Sequence, residues 1–257
     1  MGILNITPDS FSDGGNFLNL QNAAQRIHGM IREGADIIDI GGESTRPDSA
    51  PVSSEEEMRR IKPVIDYIYA NNLLSKIDFS IDTYKSEIAE YALTNGFTIV
   101  NDVSALRGDK KMINVLLRYK PYVVAMYSKD NTSRTSKNKI IYRDVIAEIK
   151  FFLRERIKIL SDAGFPKNKI IIDPGMGAFV SSDNQYSFEI IERLAELKDL
   201  HLPIASGISR KLFSGDLKNR DAASVLLSRK AIHNGCSIIR IHNVKLMFQN
   251  LQNTNTL

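Results

Sequence analysis

The chain has 257 residues, 34 Lys and Arg against 30 Asp and Glu, a net charge of +4, 43% hydrophobic residues and one cysteine. That composition supports one sizeable core and excludes a disordered chain or a disulfide scaffold. The cations are scattered along helices and one loop without interleaved aromatics, which argues against nucleic acid. No apolar run nears the roughly 20 residues of a membrane span, and the first residues lack the basic and apolar regions of a signal peptide.

The elements follow in chain order. Gly2 to Ile6 is a short apolar run that breaks at Thr7-Pro8 into a polar loop ending in Gly14-Gly15. Proline stops strand pairing, and the glycines let the loop bend. A helical pattern over 20–33 comes next, then the apolar run 35–41, which leads into Gly42-Glu-Ser-Thr-Arg-Pro47. Ser53-Ser54 ahead of Glu55, Glu56 and Glu57 predicts the start of a helix over 54–71, with acid at the positive end of its dipole. Further strands are predicted over 79–82, 98–102, 122–126, 169–173, 202–207 and 237–242. The helices between and after them cover 85–95, 109–118, 141–163, 184–198, 220–234 and 244–252. Gly34, Gly96, Gly164 and Gly235 mark helix ends in four of the units.

Eight strands each followed by a helix, in about 250 residues, predict an α/β protein: a (β/α)8 TIM barrel forming one domain over 1–257. The strands are apolar runs rather than alternations, as strands covered on both faces should be. An open doubly wound sheet gives the same alternation. The count of eight, the polar residue at nearly every strand end and the lack of a G-x-G-x-x-G fingerprint favour the barrel.

In a barrel the strand ends converge on one face, where active sites sit. Collected there are Asn5, Asp39, Asp82, Asn101, Met126, Asp173, Ser209, Lys211, Arg240 and His242, with Thr45 and Arg46 on the second loop. Asp82, Asn101 and Asp173 form an acceptor-rich set suited to the polar edge of a flat heterocycle with a 2-amino-4-oxo pattern, with Met126 and Phe179 as apolar walls. Arg46, Lys211, Arg240 and His242 form a cationic set that describes an anion hole. Asn5 beside a di-anion suits Mg2+, which takes oxygen ligands. The structural alternatives are plain: each aspartate could be a cap or turn former, and Arg240 and His242 could pair with neighbouring carboxylates to close the barrel top. His28, His201 and His233 read as surface or packing residues. Cys236 reads as a buried structural thiol, which suits a cytoplasmic location. Residues 129–139, with four basic residues among Ser, Thr and Asn, read as a solvated loop after the fifth strand, the alternative being a substrate lid. No zinc motif and no nucleophile elbow is present.

Asn5-Ile-Thr-Pro-Asp-Ser-Phe-Ser-Asp-Gly-Gly15, Gly42-Glu-Ser-Thr-Arg-Pro47, Ser80-Ile-Asp-Thr83, Asn101-Asp102, Asp173-Pro-Gly175, Ser209-Arg-Lys211 and Arg240-Ile-His242 together resemble the dihydropteroate synthase family. The match runs from first strand to last. It implies a barrel enzyme of folate synthesis, usually a homodimer. Its reaction joins para-aminobenzoate to 6-hydroxymethyl-7,8-dihydropterin diphosphate and releases pyrophosphate with magnesium bound. It gives Asp82, Asn101, Asp173 and Lys211 to the pterin, and Asn5, Arg46, Arg240 and His242 to the diphosphate, with the magnesium on Asn5. Phe11, Thr45, Pro47 and Ser209 would shape the aminobenzoate pocket, the first two loops folding over it. Lys211, Arg240, His242 and Arg46 would carry the catalysis.

Three positions depart from the family pattern. Tyr127 stands where a histidine is usual, Val180 where a lysine is common, and Asn243 where an aspartate often follows the histidine of the last strand. The abrupt opening on a strand is the pattern of a domain excised from a longer chain, such as a fusion to the pyrophosphokinase that makes the substrate. The alternatives are a methyltetrahydrofolate-type methyltransferase barrel, which should lack the first-loop motif and the cationic set, and a non-catalytic pterin-binding module, which would need neither Asn5 nor Arg46. A glycoside hydrolase would need paired carboxylates that Ser206-Gly207 does not supply.

Overall fold

The computed structural model describes residues 1–7, 16–44, 49–132, 134–208 and 216–252, the side chains of 16–19 excepted. Strand β1 (Gly2–Asn5) leads to helix α1 (Asn16–Arg32), then β2 (Ile37–Gly41) and α2 (Ser54–Ala70). The alternation continues through β3 (Asp78–Asp82), α3 (Ser86–Thr94), β4 (Ile99–Asp102), α4 (Met112–Tyr119), β5 (Tyr122–Met126) and α5 (Val145–Asp162). It closes with β6 (Ile170–Asp173), α6 (Gln185–Glu192), β7 (Ala205–Ser206), α7 (Leu217–His233), β8 (Ile238–Ile239) and α8 (Val244–Gln252). Strands β1 to β6 pair in parallel in sequence order, and β7 pairs with β8. Single parallel bridges, Ile172 to Ile204 and Gly2 to Ile241, join the two sheets and close the barrel.

Period-two alternation within each strand divides the core. Ile38, Ile40, Phe79, Ile81, Val100, Val123 and Ile170 face the helices and pack with them. In the opposite phase Ile99, Val124, Ile171 and Ala205 pack together, with Ile37 and Ile238 against them. Two residues further along the same face of these strands stand Asp39, Asn101, Met126, Asp173 and Arg240. The polar groups therefore rest on an apolar plug, inside the barrel and at its carboxyl end.

The helix signals behave as expected. Ser53 caps α2 by accepting from the Glu56 N–H at 3.2 Å. Gly34, Gly96, Gly164 and Gly235 all have φ between 86° and 104°, the left-handed region that ends helices cheaply only at glycine. The helix expected over 184–198 divides: α6 ends at Glu192 and a 3-10 turn covers Leu194–Leu200. Ile191, Leu194, Leu197 and Leu200 recur every third residue and are all buried. Three residues per turn keeps them on one face, which an α-helix would not. Helix α5 starts later than expected because Asp144 caps it, accepting from Ile146 and Ala147 N–H at 3.0 and 3.1 Å. The last two strands are shorter than their apolar runs, with pairing carried on by isolated bridges.

Candidate active site

Arg240 leaves β8 and reaches across the barrel mouth. Its Nε donates to Asp39 Oδ2 at 2.6 Å and its terminal nitrogen to Asp82 Oδ2 at 2.5 Å. Asn101 Nδ2 donates to the same Asp39 oxygen at 3.0 Å. Asp39 is fully buried, and its other oxygen, Oδ1, has no hydrogen-bond partner among the described residues. Gly41, in register beside β1, leaves room for this arrangement, since a Cβ there would lie 3.3 Å from the Asp82 Cβ. Burial works against the charge on Arg240, but Asp39 and Asp82 outweigh it and hold the guanidinium firmly ionised. The two sets separated in the sequence thus meet. The arginine pairs with carboxylates, the structural alternative, and does so inside the acceptor set.

Asp173 ends β6 opposite Met126 of β5. Its Oδ1 accepts from the Gly175 N–H at 2.8 Å. Gly175 has φ +69°, and a Cβ there would come within 2.4 Å of the Tyr127 carbonyl oxygen, so only glycine fits this turn. Burial pushes the Asp173 carboxyl up to about 7, against the pull of the Gly175 N–H and Arg240. Burial raises Asp82 as well, with Arg240 opposing and Asp39 adding repulsion. A ligand presenting N–H donors to these carboxylates would restore their ionised forms. Asp102, beside Asn101, has another duty: it accepts from Ser104 N–H, Ser104 Oγ and Leu106 N–H at 2.7–2.8 Å and shapes its own loop.

Asn5 and His242 lie half-buried at the ends of their strands, and the His242 carbonyl accepts from Arg26 at 2.9 Å. Met126 is buried, and Phe179 sits half-buried in the turn after β6, with its carbonyl held by the Lys129 N–H at 2.8 Å. Phe11, Thr45, Arg46, Pro47, Ser209 and Lys211 lie outside the described residues. Asp39 carries no role in the sequence analysis, yet it joins Asn101 to Arg240. Its signal was an aspartate inside an otherwise apolar strand.

The segment 129–139 is not simply a solvated loop. The Lys129 side chain is buried, with Nζ on Asp130 and Thr135 at 2.9 Å, on the Ser136 carbonyl at 2.8 Å and on the Ala178 carbonyl. Desolvating an ammonium demands such a cage, and the cage ties the segment to the turn carrying Phe179. The departures also have structural accounts. Tyr127 is buried, stacks edge-on against Phe152 with centroids 5.3 Å apart, and its hydroxyl meets that of Tyr142 at 3.1 Å. Tyr142 in turn donates to the Val180 carbonyl at 2.6 Å, and Val180 is fully buried. Two of the departures are therefore one linked unit. Asn243 caps α8 through Oδ1, accepting from Leu246 N–H at 3.0 Å, while Nδ2 donates to Asp221 at 2.9 Å. Burial pushes the Cys236 thiol up to about 12, so it is an inert packing group.

Residues 1–242 match the family described as pterin binding enzyme. A dihydropteroate synthase of Streptococcus pyogenes serotype M3 is 42% identical over 252 residues, spanning 95% of this chain and 90% of its own. A mitochondrial folate synthesis bifunctional protein of Arabidopsis thaliana is 39% identical over 95% of this chain but only 47% of its own. The crystal structure of a dihydropteroate synthase from Clostridium difficile, determined in the presence of pteroic acid, superposes with a TM-score of 0.87 at 41% identity, covering 100% of this chain and 95% of that one. Asp82, Asn101, Asp173 and Arg240 converge in the mouth of a closed barrel that superposes on the Clostridium difficile enzyme over nearly the whole of both chains: the chain belongs to the dihydropteroate synthase family of pterin-binding enzymes.

Proposed function

We propose a division of labour for the synthesis of 7,8-dihydropteroate, in which para-aminobenzoate displaces pyrophosphate from 6-hydroxymethyl-7,8-dihydropterin diphosphate. The observation that carries it is Arg240, held by Asp39 and Asp82 at the border between the acceptor set and the open mouth. Asp173 and Asp82 accept the ring N–H donors of the pterin, and Asn101 offers one donor and one acceptor. Met126 and Phe179 line the ring faces. Lys211 reaches the ring carbonyl. Arg46, Arg240 and His242 bind the diphosphate, and Phe11, Thr45, Pro47 and Ser209 enclose the aminobenzoate.

The exocyclic carbon loses pyrophosphate readily because the ring nitrogens delocalise the cation left behind. The chain's task is then electrostatic. Arg240 is already charged and oriented, so it meets charge gathering on the departing diphosphate without reorganising. Exclusion of water by the loops leaves the weakly basic arylamine as nucleophile. Asn5, half-buried at the end of β1, would hold a magnesium ion through its amide oxygen, a hard ligand of the kind that ion takes. When bound, the ion neutralises diphosphate charge.

Pyrophosphate release measured with and without para-aminobenzoate tests the reading, and release independent of the arylamine counts against it. Arg240→Ala should lower kcat by about 10²–10³-fold, the cost of one oriented donor to developing charge, with a much smaller loss of pterin affinity. Equal losses in both would remove the leaving-group role.

The enzyme is proposed to act as a homodimer through α6, α7 and α8, neighbouring helices that expose Phe188, Leu217, Leu226, Phe248 and Leu251. A fusion to a pyrophosphokinase is a second arrangement, which the bifunctional plant relative supports. A single buried cysteine suits the cytoplasm. Among the described residues no helix is long and apolar enough to cross a membrane.

A further inference from the structure

A second ionic cluster lies beside the mouth, centred on Glu43 of the β2–α2 loop. Lys85, before α3, donates to Glu43 Oε2 at 2.7 Å, to Glu57 Oε2 of α2 at 2.6 Å and to the Val52 carbonyl at 2.6 Å. Tyr84 adds its hydroxyl to Glu43 Oε2 at 3.0 Å. From the far side of the mouth comes Arg134, on the loop after β5. One of its terminal nitrogens donates to Glu43 Oε1 at 2.8 Å and the other to Ser49 Oγ at 2.6 Å. The Ser49 hydroxyl donates to the Ser44 carbonyl, so the two residues flanking 45–48 are joined directly.

This is not a surface salt bridge of little consequence. The Glu43 side chain is only 3% exposed and that of Arg134 20%, so the pair is largely desolvated and its geometry is specified. The arginine's own loop is rooted by the buried Lys129 on the turn that carries Phe179. One guanidinium fork thus connects the pterin side of the mouth to the base of the β2–α2 loop.

We propose that Arg134 is a positioning residue for para-aminobenzoate. It acts through Glu43 and Ser49, which fix the flanks of the segment carrying Thr45, Arg46 and Pro47. The inference rests on the assignment of Thr45 and Pro47 to the aminobenzoate pocket, and the experiment separates the two.

Steady-state kinetics of Arg134→Ala should show KM for para-aminobenzoate raised about tenfold, the weight of one hydrogen bond to a charged group. Pterin diphosphate KM and kcat should stay near wild type even where loss of the buried pair lowers the melting temperature, a split that a merely structural role would not produce. Arg134→Lys should recover part of the loss. In a Glu43→Ala background the same substitution should add less than it does alone, because only the Ser49 branch of its route remains. Thr45→Ala measured alongside supplies the control. If it raises the aminobenzoate KM while Arg134→Ala does not, the positioning role is overturned and the pocket assignment stands. If Thr45→Ala leaves that KM unchanged, the pocket assignment fails and takes the proposal with it.

Discussion

The two ionic clusters at this barrel mouth are built from similar parts to opposite ends. Around Glu43 and Glu57, two carboxylates face two cations, Lys85 and Arg134, although Glu57 Oε1 finds no partner among the described residues and burial raises Glu57. Around Arg240, three carboxylates, Asp39, Asp82 and Asp173, share one guanidinium among the described residues. Asp39 Oδ1 has no partner among the described residues, and burial raises Asp82 and Asp173. In the Glu43 cluster the charge is balanced, and burial at Lys85 is outweighed by the hydrogen bonds to Glu43 and Glu57, so the lysine stays above its usual range. The balanced cluster contributes shape. The unbalanced one sets three carboxylates against one cation at the barrel mouth, where a ligand rich in N–H donors can satisfy them.

Removing a partner from the balanced cluster should give the largest effect on the fold. Lys85→Met strands the buried Glu57 and leaves Glu43 to Arg134 and Tyr84, and should destabilise the protein by about 3–5 kcal/mol, read from urea denaturation. A loss below 1 kcal/mol would mean that solvent reaches those carboxylates and the contrast is false.

The unbalanced cluster should show itself through pH. A carboxyl raised in the fold contributes stability that is present below its ordinary pKa, near 3.8 for aspartate, and lost as pH rises through its folded value. Asp173, at about 7, should therefore weaken the ligand-free protein progressively between roughly pH 4 and 7. A pterin binds the ionised form, so its affinity should rise by up to about tenfold per pH unit below 7 and then level off. Calorimetry in buffers of different ionisation enthalpy should register proton release on binding at pH 6 and little at pH 8. In Asp173→Asn the pterin should no longer bind, since the amide replaces an acceptor with a donor. Unchanged affinity in that variant would remove Asp173 from the site.

The smallest effect is expected at the departures from the family pattern. Tyr142→Phe breaks the link between the Tyr127 hydroxyl and the Val180 carbonyl, and should cost about 1 kcal/mol of stability with kinetics intact. A changed pterin KM would instead place this linked unit in the site.

The repeated strand–helix unit made the barrel legible: each apolar run, each helix-ending glycine and the Ser53 cap are local signals, and local signals survive in sequence. Asp82, Asn101 and Asp173 were legible because polar groups at strand ends have no packing purpose. What could not be read was partnership across the barrel. Arg240 and Asp39 are separated by 201 residues, and Lys85 and Glu43 by 42. Glu57 reads as acid in a first helical turn, which it is, but burial beside Lys85 is its larger role. Lys129 and Arg134 read as solvated because their segment is polar. Only the fold reveals that one is caged and the other reaches Glu43. The 3-10 turn over 194–200 lay in plain view as a spacing of three leucines, overshadowed by the longer α-helical pattern around it.

The alternation inside the strands has a consequence for how such a mouth can diversify. Asp39 faces the interior while Ile38 and Ile40, its neighbours on either side, face the helices. One inserted or deleted residue in that strand would turn the carboxylate into the apolar layer and an isoleucine into the site. Changes of length are therefore confined to the connecting loops, and the strands can vary only by substitution. Over descent, the pterin grip is bound to a fixed frame, while whatever reaches over it from the loops is free to lengthen, shorten and be replaced.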